Sequence, residues 1–232
     1  MKQPIAWSRC AYCGLRHPEL AVDAAARDSV VRALEGKSKS LAAVELASRV
    51  GCSQDSALAC IDHWSACSRS IPLESDSSAA LARVEQAFED VPQPEHFTNY
   101  AHCDECADHD AVLRSKTRDT ITRDDLGTMG WDPITFSTVE GKAYYLPALA
   151  RYALLPNLWT DRDWYLPQLL WHLGYEGAGN ALLQWCSPEQ RAAIHRLLRQ
   201  VEAARGDLLD QYGEREELAS VIELWAGSEC NQ

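Results

Sequence analysis

The sequence predicts a mainly α-helical protein made of a small N-terminal helical module and a larger helix-rich domain with at most a short strand or hairpin. Three observations predict this fold class. Apolar residues recur three or four positions apart in several segments, which is the spacing of one helix face. Ser, Gly and Pro stand where such segments begin and end. The 232 residues are 46% hydrophobic, so one large domain or two small ones can bury a core.

The N-terminal module covers residues 1–67 and is predicted to hold three helices, the first over about Leu20–Leu34. The second follows an N-cap at Ser38 and ends at Gly51, and Ser53 caps the third. Their inward faces are predicted to be Leu41, Val44, Ala47 and Val50 in the second helix, and Leu58, Ile61 and Trp64 in the third.

The stretch GKSKSLAAVELASRVGCSQDSALACIDHW combines a Gly-Lys pair, a helix, a glycine turn and a second helix. In this order it resembles the helical hairpin of the C-terminal domain of the ribosomal stalk protein, over about residues 30–66. The resemblance implies a small recognition hairpin rather than a catalytic centre. Residues 68–78 are polar, contain Pro72, and are predicted to form a linker.

The larger domain, residues 79–232, carries three motifs in order: AFEDVPQP from Ala87, Gly130-Trp131-Asp132, and YYLPA from Tyr144. They resemble an uncharacterised bacterial domain family with an AF-x-x-VP-x-P start, a central Trp and a YYLPA segment, over about residues 80–200. Membership would imply the fold of that family, but no activity, because none is established for it.

The elements of the larger domain are predicted from caps and periodicity. Its helices begin at Ser77 or Ser78, at Cys103, at the Ser187-Pro188-Glu189-Gln190 capping box, and near Glu214. The apolar faces are Leu81, Val84 and Phe88 in the first helix, Ile194, Leu197, Leu198 and Val201 in the third, and Leu218, Val221, Ile222 and Trp225 in the last. Between these helices we expect a turn opened by Thr122, a brief strand at Ile134–Ser137 before a turn at Glu140-Gly141, and short helices interrupted by Pro147, Pro156 and Pro167.

The formal net charge is −12 and it is unevenly distributed. Residues 1–70 hold nine Lys and Arg against seven Asp and Glu, whereas the remainder holds 13 against 27. An acidic body repels a phosphate backbone and attracts a basic protein partner. No apolar run is long enough to cross a membrane, and the first residues lack a signal peptide. We therefore expect a soluble cytoplasmic protein whose larger domain does not bind nucleic acid. Its charge indicates a basic protein partner, and the alternative is that the charge only keeps the protein soluble.

Nine cysteines, an odd number, favour reduced thiols and metal binding over a disulfide framework. Cys10 and Cys13, followed by a glycine, have the form of a zinc knuckle. His63 and Cys67 are four positions apart and could complete a Cys-Cys-His-Cys site, with Cys60 and His17 as substitutes. The alternative is a small helical module with free thiols.

Cys103, Cys106 and His109 form a second cluster, with His102 adjacent. Three such ligands and a water describe a catalytic zinc site, for which Glu105 or Asp108 could act as the base. The alternatives are a site that joins Cys10 and Cys13 to Cys103 and Cys106, and an acidic solvated helix whose cysteines bind nothing.

The leading hypothesis is a non-catalytic protein-binding module, an adaptor or an immunity-like inhibitor of a basic toxin, with a structural zinc site. The first alternative is a zinc-dependent hydrolase or lyase that uses Cys103, Cys106 and His109. The second is a nucleic-acid-associated regulator acting through the slightly basic N-terminal hairpin. Cys186 is the one lone cysteine considered as a nucleophile, and a buried thiol at a helix start is the simpler interpretation.

Overall fold

The computed structural model describes residues 7–9, 16–18, 39–66, 73–155 and 163–226. These residues contain two short strands, ten α-helices and one turn of 3₁₀-helix. The mainly α-helical prediction is confirmed. The predicted helix over Leu20–Leu34 lies outside the described residues, as do Pro156 and residues 68–72 of the predicted linker. The linker prediction is wrong for residues 75–78, which are helical.

The elements have the following bounds: β1 Trp7–Arg9, β2 Arg16–Pro18, α1 Lys39–Val50, α2 Gln54–Ala66, α3 Ser75–Ala87, α4 Asp104–Arg114, α5 Val139–Leu154, α6 Leu166–Gly174, the 3₁₀ turn Gly177–Gly179, α7 Ala181–Trp185, α8 Pro188–Ala204, α9 Gly206–Tyr212 and α10 Arg215–Ala226. The chain divides into two compact units, Met1–Ser75 with Leu155–Trp164, and Asp76–Leu154 with Tyr165–Gln232. Helices α3–α10 belong wholly or mainly to the second unit.

The described residues of the first unit include an antiparallel pair of strands and two helices. Residues Trp7, Ser8 and Arg9 of β1 pair with Pro18, His17 and Arg16 of β2. Helix α1 packs on α2, and α2 packs against β2. The predicted turn is confirmed: Gly51 has a left-handed φ of 68°, which glycine adopts without strain. The Ser53 hydroxyl then accepts the Ser56 backbone N–H at 3.2 Å, so Ser53 caps α2.

The buried face of α1 differs from the predicted stripe. Leu41 and Val44 are exposed, at 60% and 48%, and Leu58 of α2 is exposed at 41%. Ala47 of the predicted stripe is buried, as are Ile61 and Trp64 of α2, and the other buried side chains of α1 are Ala42, Ala43 and Leu46. Close packing of two short helices favours the face with the smallest side chains, and periodicity alone does not distinguish that face from the neighbouring one.

The second unit is organised around α5, which is buried along nearly its whole length. Helices α6, α7 and α8 pack against it, and α10 packs on α6 and α8. The apolar faces predicted for α3, α8 and α10 are confirmed, because all eleven of their named side chains are buried. The Trp225 indole N–H donates to the Leu173 carbonyl at 3.0 Å and joins α10 to α6.

Contacts between residues distant in sequence connect the two halves of this unit. Helix α3 begins at Ser75, two residues before the predicted cap, and Ser77 is buried within it. Gln200 of α8 donates to the Ser77 hydroxyl at 3.1 Å, and the Gln190 side chain donates to the Ala87 carbonyl. The Ser187 capping box of α8 is present as predicted.

Three predictions for the segment before and within α5 are wrong. Residues 133–136 form a turn rather than a strand, and Glu140 and Gly141 lie inside α5, as does Pro147. Because residue 141 is glycine, Ser137 and Phe97 can approach the backbone of α5 closely. A Cβ at this position would lie 2.3 Å from the Ser137 hydroxyl oxygen and 3.0 Å from a ring carbon of Phe97. Burial on all sides holds α5 together despite the helix-breaking proline.

Among the helices of the described ranges, none is both long and apolar enough to cross a membrane.

Candidate metal centre

Cys103 and Cys106 lie at the start of α4. Cys103 is the N-cap, with an extended backbone (φ −162°, ψ 169°), and its carbonyl accepts the Ala107 N–H at 3.0 Å. Cys106 is one helical turn further on, so both thiols lie on the same side of the first turn. Cys103 is exposed and Cys106 is half-buried. The sequence-predicted start of this helix is thus confirmed.

His102 completes a group of three ligand residues with these two cysteines. One ligand atom from each of the three lies within 4.8 Å of the others, so the group could hold a metal ion. The His102 Nδ1 and the Cys106 Sγ are 3.7 Å apart. Metal–sulfur bonds of about 2.3 Å and metal–nitrogen bonds of about 2.0 Å place neighbouring ligands of a tetrahedral zinc ion roughly 3.5–3.8 Å apart. The separation of His102 and Cys106 therefore matches that of two ligands of such an ion, and the other pairs lie within 4.8 Å.

The local electrostatics also favour a cation. A hydrogen bond with Cys103 raises the pKa of the Cys106 thiol, and burial and the charges of Cys103 and Glu105 raise the pKa further. These neighbours disfavour additional negative charge, which a bound cation would neutralise. The exposed acids Asp104 and Asp108 on the same helix add to the negative field.

His109, which the sequence analysis placed with Cys103 and Cys106, is not part of this group. It is 1% exposed, and its ring lies 4.4 Å from that of Phe136 and 4.7 Å from that of Trp131. Its Nε2 is 3.9 Å from a carboxylate oxygen of Glu105. At about 100° per residue, position 109 lies about 120° around the helix from position 103. His102 precedes the helix, so its side-chain direction is not fixed by helical periodicity.

A buried carboxylate attaches the loop before α4 to the helix itself. Asp110, 3% exposed, accepts the backbone N–H groups of Phe97 and Thr98 at 2.6 and 3.1 Å, and its second oxygen lies 2.8 Å from His96 Nδ1. Burial raises the pKa of Asp110, but these hydrogen bonds outweigh burial and lower the pKa below its ordinary value. The Thr98 hydroxyl then donates to the Cys106 carbonyl at 2.7 Å.

A second buried carboxylate, Asp132, positions the loop that carries Trp131. One of its oxygens accepts a hydrogen bond from the Gln168 amide at 2.8 Å and lies 2.9 Å from His172 Nε2. Tyr165 donates to the same oxygen at 3.5 Å, and burial raises the pKa of this tyrosine well above its ordinary value. Asp132 and His172 are 2% and 4% exposed, so the pair is enclosed within the second unit.

Exposed apolar side chains lie in the segments before and after α4. Trp131 and Phe136, whose rings contact His109, are 53% and 36% exposed. Tyr100, 48% exposed, stacks on His96, and Met129, 58% exposed, belongs to the same loop as Trp131. We call these four residues the aromatic surface: Tyr100, Met129, Trp131 and Phe136. The sequence analysis did not identify this surface, because its members are far apart in the sequence.

The predicted ligands of the N-terminal module are only partly described. Cys10, Cys13 and Cys67 lie outside the described residues, and β1 and β2 pair on either side of residues 10–15. His63 is buried in α2, the helix that packs against β2. Cys60, its substitute, is buried, and burial followed by the charge of Cys52 raises its pKa to about 12. This thiol is therefore protonated at neutral pH.

Cys186 is 3% exposed, and burial raises the pKa of its thiol to about 12, although Arg191 acts in the opposite direction. A protonated, enclosed thiol is a poor nucleophile, so the simpler interpretation of Cys186 is confirmed.

Comparisons with protein-family models, with curated proteins and with solved structures find no match to this chain. The two resemblances described above stay predictions.

Proposed function

We propose that this protein is a non-catalytic zinc-binding module that binds a protein partner, with His102, Cys103 and Cys106 as zinc ligands. The observation that carries the proposal is the approach of these three ligand atoms to within 4.8 Å of one another. Thiolate and imidazole ligands together select zinc over magnesium or calcium, which require oxygen ligands. The reduced thiols that the site needs fit a cytoplasmic location.

Protein binding is supported by exposed side chains of the second unit. The aromatic surface offers Trp, Phe, Tyr and Met side chains, which are the types enriched at protein interfaces. Asp104 and Asp108 of α4 are exposed acids in the same unit. A partner segment with basic residues around an apolar anchor matches this combination.

A second, closed zinc site formed by Cys10, Cys13, His63 and Cys67 is part of the proposal for the first unit. It is supported by the strand pair that flanks residues 10–15 and by the packing of α2, which carries His63, against β2. Four protein ligands leave no position for water, so this site would be structural.

Zinc binding is tested by elemental analysis of the reduced full-length chain after zinc loading and desalting. The Cys103→Ser/Cys106→Ser variant is expected to hold one zinc fewer than the unaltered chain, because two of its three ligands are gone. His102→Ala is expected to weaken the affinity by more than about a hundredfold, since losing even an indirect ligand partner costs 10–100-fold. His195→Ala, a change to a half-buried histidine of α8, is the matched control and should leave the zinc content unchanged. Equal zinc in all four proteins would reject the assignment.

Partner binding is tested by capture from lysate at increasing ionic strength. Trp131→Ala and Asp108→Lys should both weaken capture of the same partner, and the interaction should fade as salt rises. Glu223→Lys is the matched control, because it reverses an exposed charge in the last turn of α10, where a cation is favourable. Partner capture that is unchanged by Trp131→Ala, by Asp108→Lys and by added salt would contradict the proposed surface.

A catalytic alternative has one specific observation in its favour: three protein ligands leave a fourth coordination position for water. In that case His102 takes the place predicted for His109, and Glu105 is the nearby base. Hydrolytic activity that disappears in both Cys103→Ser and Glu105→Gln, with partner capture intact, would favour the enzyme over the binding module.

A further inference from the structure

The two cysteines at the start of α4 are also arranged for a bond to each other. Residues three apart in a helix have Cα atoms about 5 Å apart, inside the range of about 4.4–6.8 Å that disulfides require. The ligand atoms of Cys103 and Cys106 lie within 4.8 Å of each other, and both cysteines are free thiols. A disulfide between Cys103 and Cys106 therefore does not require the helix backbone to unwind.

The two thiols differ in access. Cys103 is exposed at the N-cap, whereas Cys106 is half-buried one turn later. The other cysteines of the described ranges, Cys52, Cys60 and Cys186, are buried. A small disulfide in solution therefore reaches Cys103 first, and Cys106 is in place to react with whatever Cys103 has bound.

We propose that Cys103 and Cys106 are a reversible dithiol–disulfide site whose co-substrate is a low-molecular-weight disulfide, RSSR. The Cys103 sulfur attacks one sulfur of RSSR, so that a mixed disulfide forms and the first RSH leaves with the Cys103 proton. The Cys106 sulfur attacks the Cys103 sulfur, the mixed bond breaks, and the second RSH leaves with the Cys106 proton. The pair is oxidised by two electrons, and RSSR is reduced to two RSH.

This site regulates the metal centre, a consequence that rests on the proposed function. A disulfide removes two of the three ligands and leaves His102 alone, which is too little to retain zinc. Bound zinc in turn engages both sulfurs and protects them from RSSR. Metal binding and oxidation exclude each other.

The experiment uses the full-length chain, freed of metal with a chelator and treated with oxidised glutathione, then unfolded and alkylated. Trypsin releases residues 84–114 as a peptide with both cysteines and no other. The expected result is that this peptide loses two hydrogens and both alkylation sites, and that a reductant restores them. The peptide that contains Cys186 should remain fully alkylated. Loading zinc before the oxidant should preserve both alkylation sites of residues 84–114.

Two single variants test the order of attack. Cys106→Ser should accumulate a stable glutathione adduct on Cys103, because the resolving thiol is absent. Cys103→Ser should form its adduct on the half-buried Cys106 more slowly. A metal-free chain that keeps both thiols, or that accumulates unresolved adducts on both cysteines, would overturn the proposal.

The outcomes for the two proposals are separable. A disulfide that forms in a chain without zinc affinity leaves this inference standing and rejects the zinc centre. If the chain binds zinc but its metal-free cysteine pair does not oxidise, the zinc centre stands and this inference is rejected.

Discussion

Removing the Asp110 carboxylate is expected to detach the loop before α4 and to destabilise the second unit. The Asp110→Ala change leaves the N–H groups of Phe97 and Thr98 without their acceptor, and His96 without its partner. An unsatisfied buried polar group costs about 1–3 kcal/mol. Two such groups would cost up to about 6 kcal/mol, but water can reach the half-buried edge at His96, so we expect about 3 kcal/mol.

The measurement is urea unfolding followed by circular dichroism, with chelator present so that metal does not contribute. A loss of about 3 kcal/mol corresponds to a melting temperature lower by roughly 6–12 °C for a domain of about 150 residues. Asp108→Ala, which changes an exposed acid on the same helix, is the matched control and should cost less than about 0.5 kcal/mol. Equal effects of the two changes would refute the role assigned to Asp110.

The pH dependence gives an independent check. Because folding lowers the pKa of Asp110, its contribution is fully present above the pKa of an unfolded aspartate, about 3.9. The contribution is lost as the pH falls through the lower pKa of the folded state. The stability difference between the unaltered chain and Asp110→Ala should therefore be constant near neutral pH and shrink below about pH 4. A difference that grows on acidification would mean that the carboxylate is not stabilising in its charged form.

Two further predictions follow from close packing and from burial. Gly141→Ala should destabilise the fold by about 1–2 kcal/mol, because the cost of overpacking against Ser137 exceeds the gain of about 1 kcal/mol in helix propensity. In a Ser137→Ala background, measured in the same urea experiment, the Gly141→Ala change should cost clearly less, and an unchanged cost would exclude this contact as the cause. Cys186, whose pKa is about 12, should react with a maleimide at neutral pH about a thousandfold more slowly in the folded than in the unfolded chain, as followed by mass spectrometry. Labelling of Cys186 as fast as that of Cys103 would contradict its burial.

The sequence was most informative where a helix has one clear apolar face and a complete cap. Helices α8 and α10 were predicted with their buried residues, because large apolar side chains occupy one face and polar ones the other. The face of α1 was predicted wrongly, because Leu41 and Val44 define one apolar face and Ala42, Ala43 and Leu46 define a competing one. The predicted turn at Gly141 and the predicted helix end at Pro147 were wrong, because burial of α5 overrides the local tendency of these residues to end a helix.

For the candidate metal centre, the two cysteines were predicted and the histidine was not. Helical spacing pointed to His109, but His102 lies just outside the helix, where spacing rules do not apply. The carboxylates that position the surrounding loops could not be recognised either. Asp132 acts through partners 36 and 40 positions away, and nothing in its local sequence distinguishes it from other acids.

The discontinuous second unit has a consequence for folding during synthesis. Gln200 bonds to Ser77 across 123 positions, and Gln190 bonds to Ala87 across 103. Helix α3 therefore leaves the ribosome long before its hydrogen-bond partners in α8 exist. The first part of the first unit, Met1–Ser75, has then been translated, but its second part, Leu155–Trp164, has not. High sequence separation of native contacts slows folding even in helical proteins, and an exposed helix face in a nascent chain is a target for chaperones.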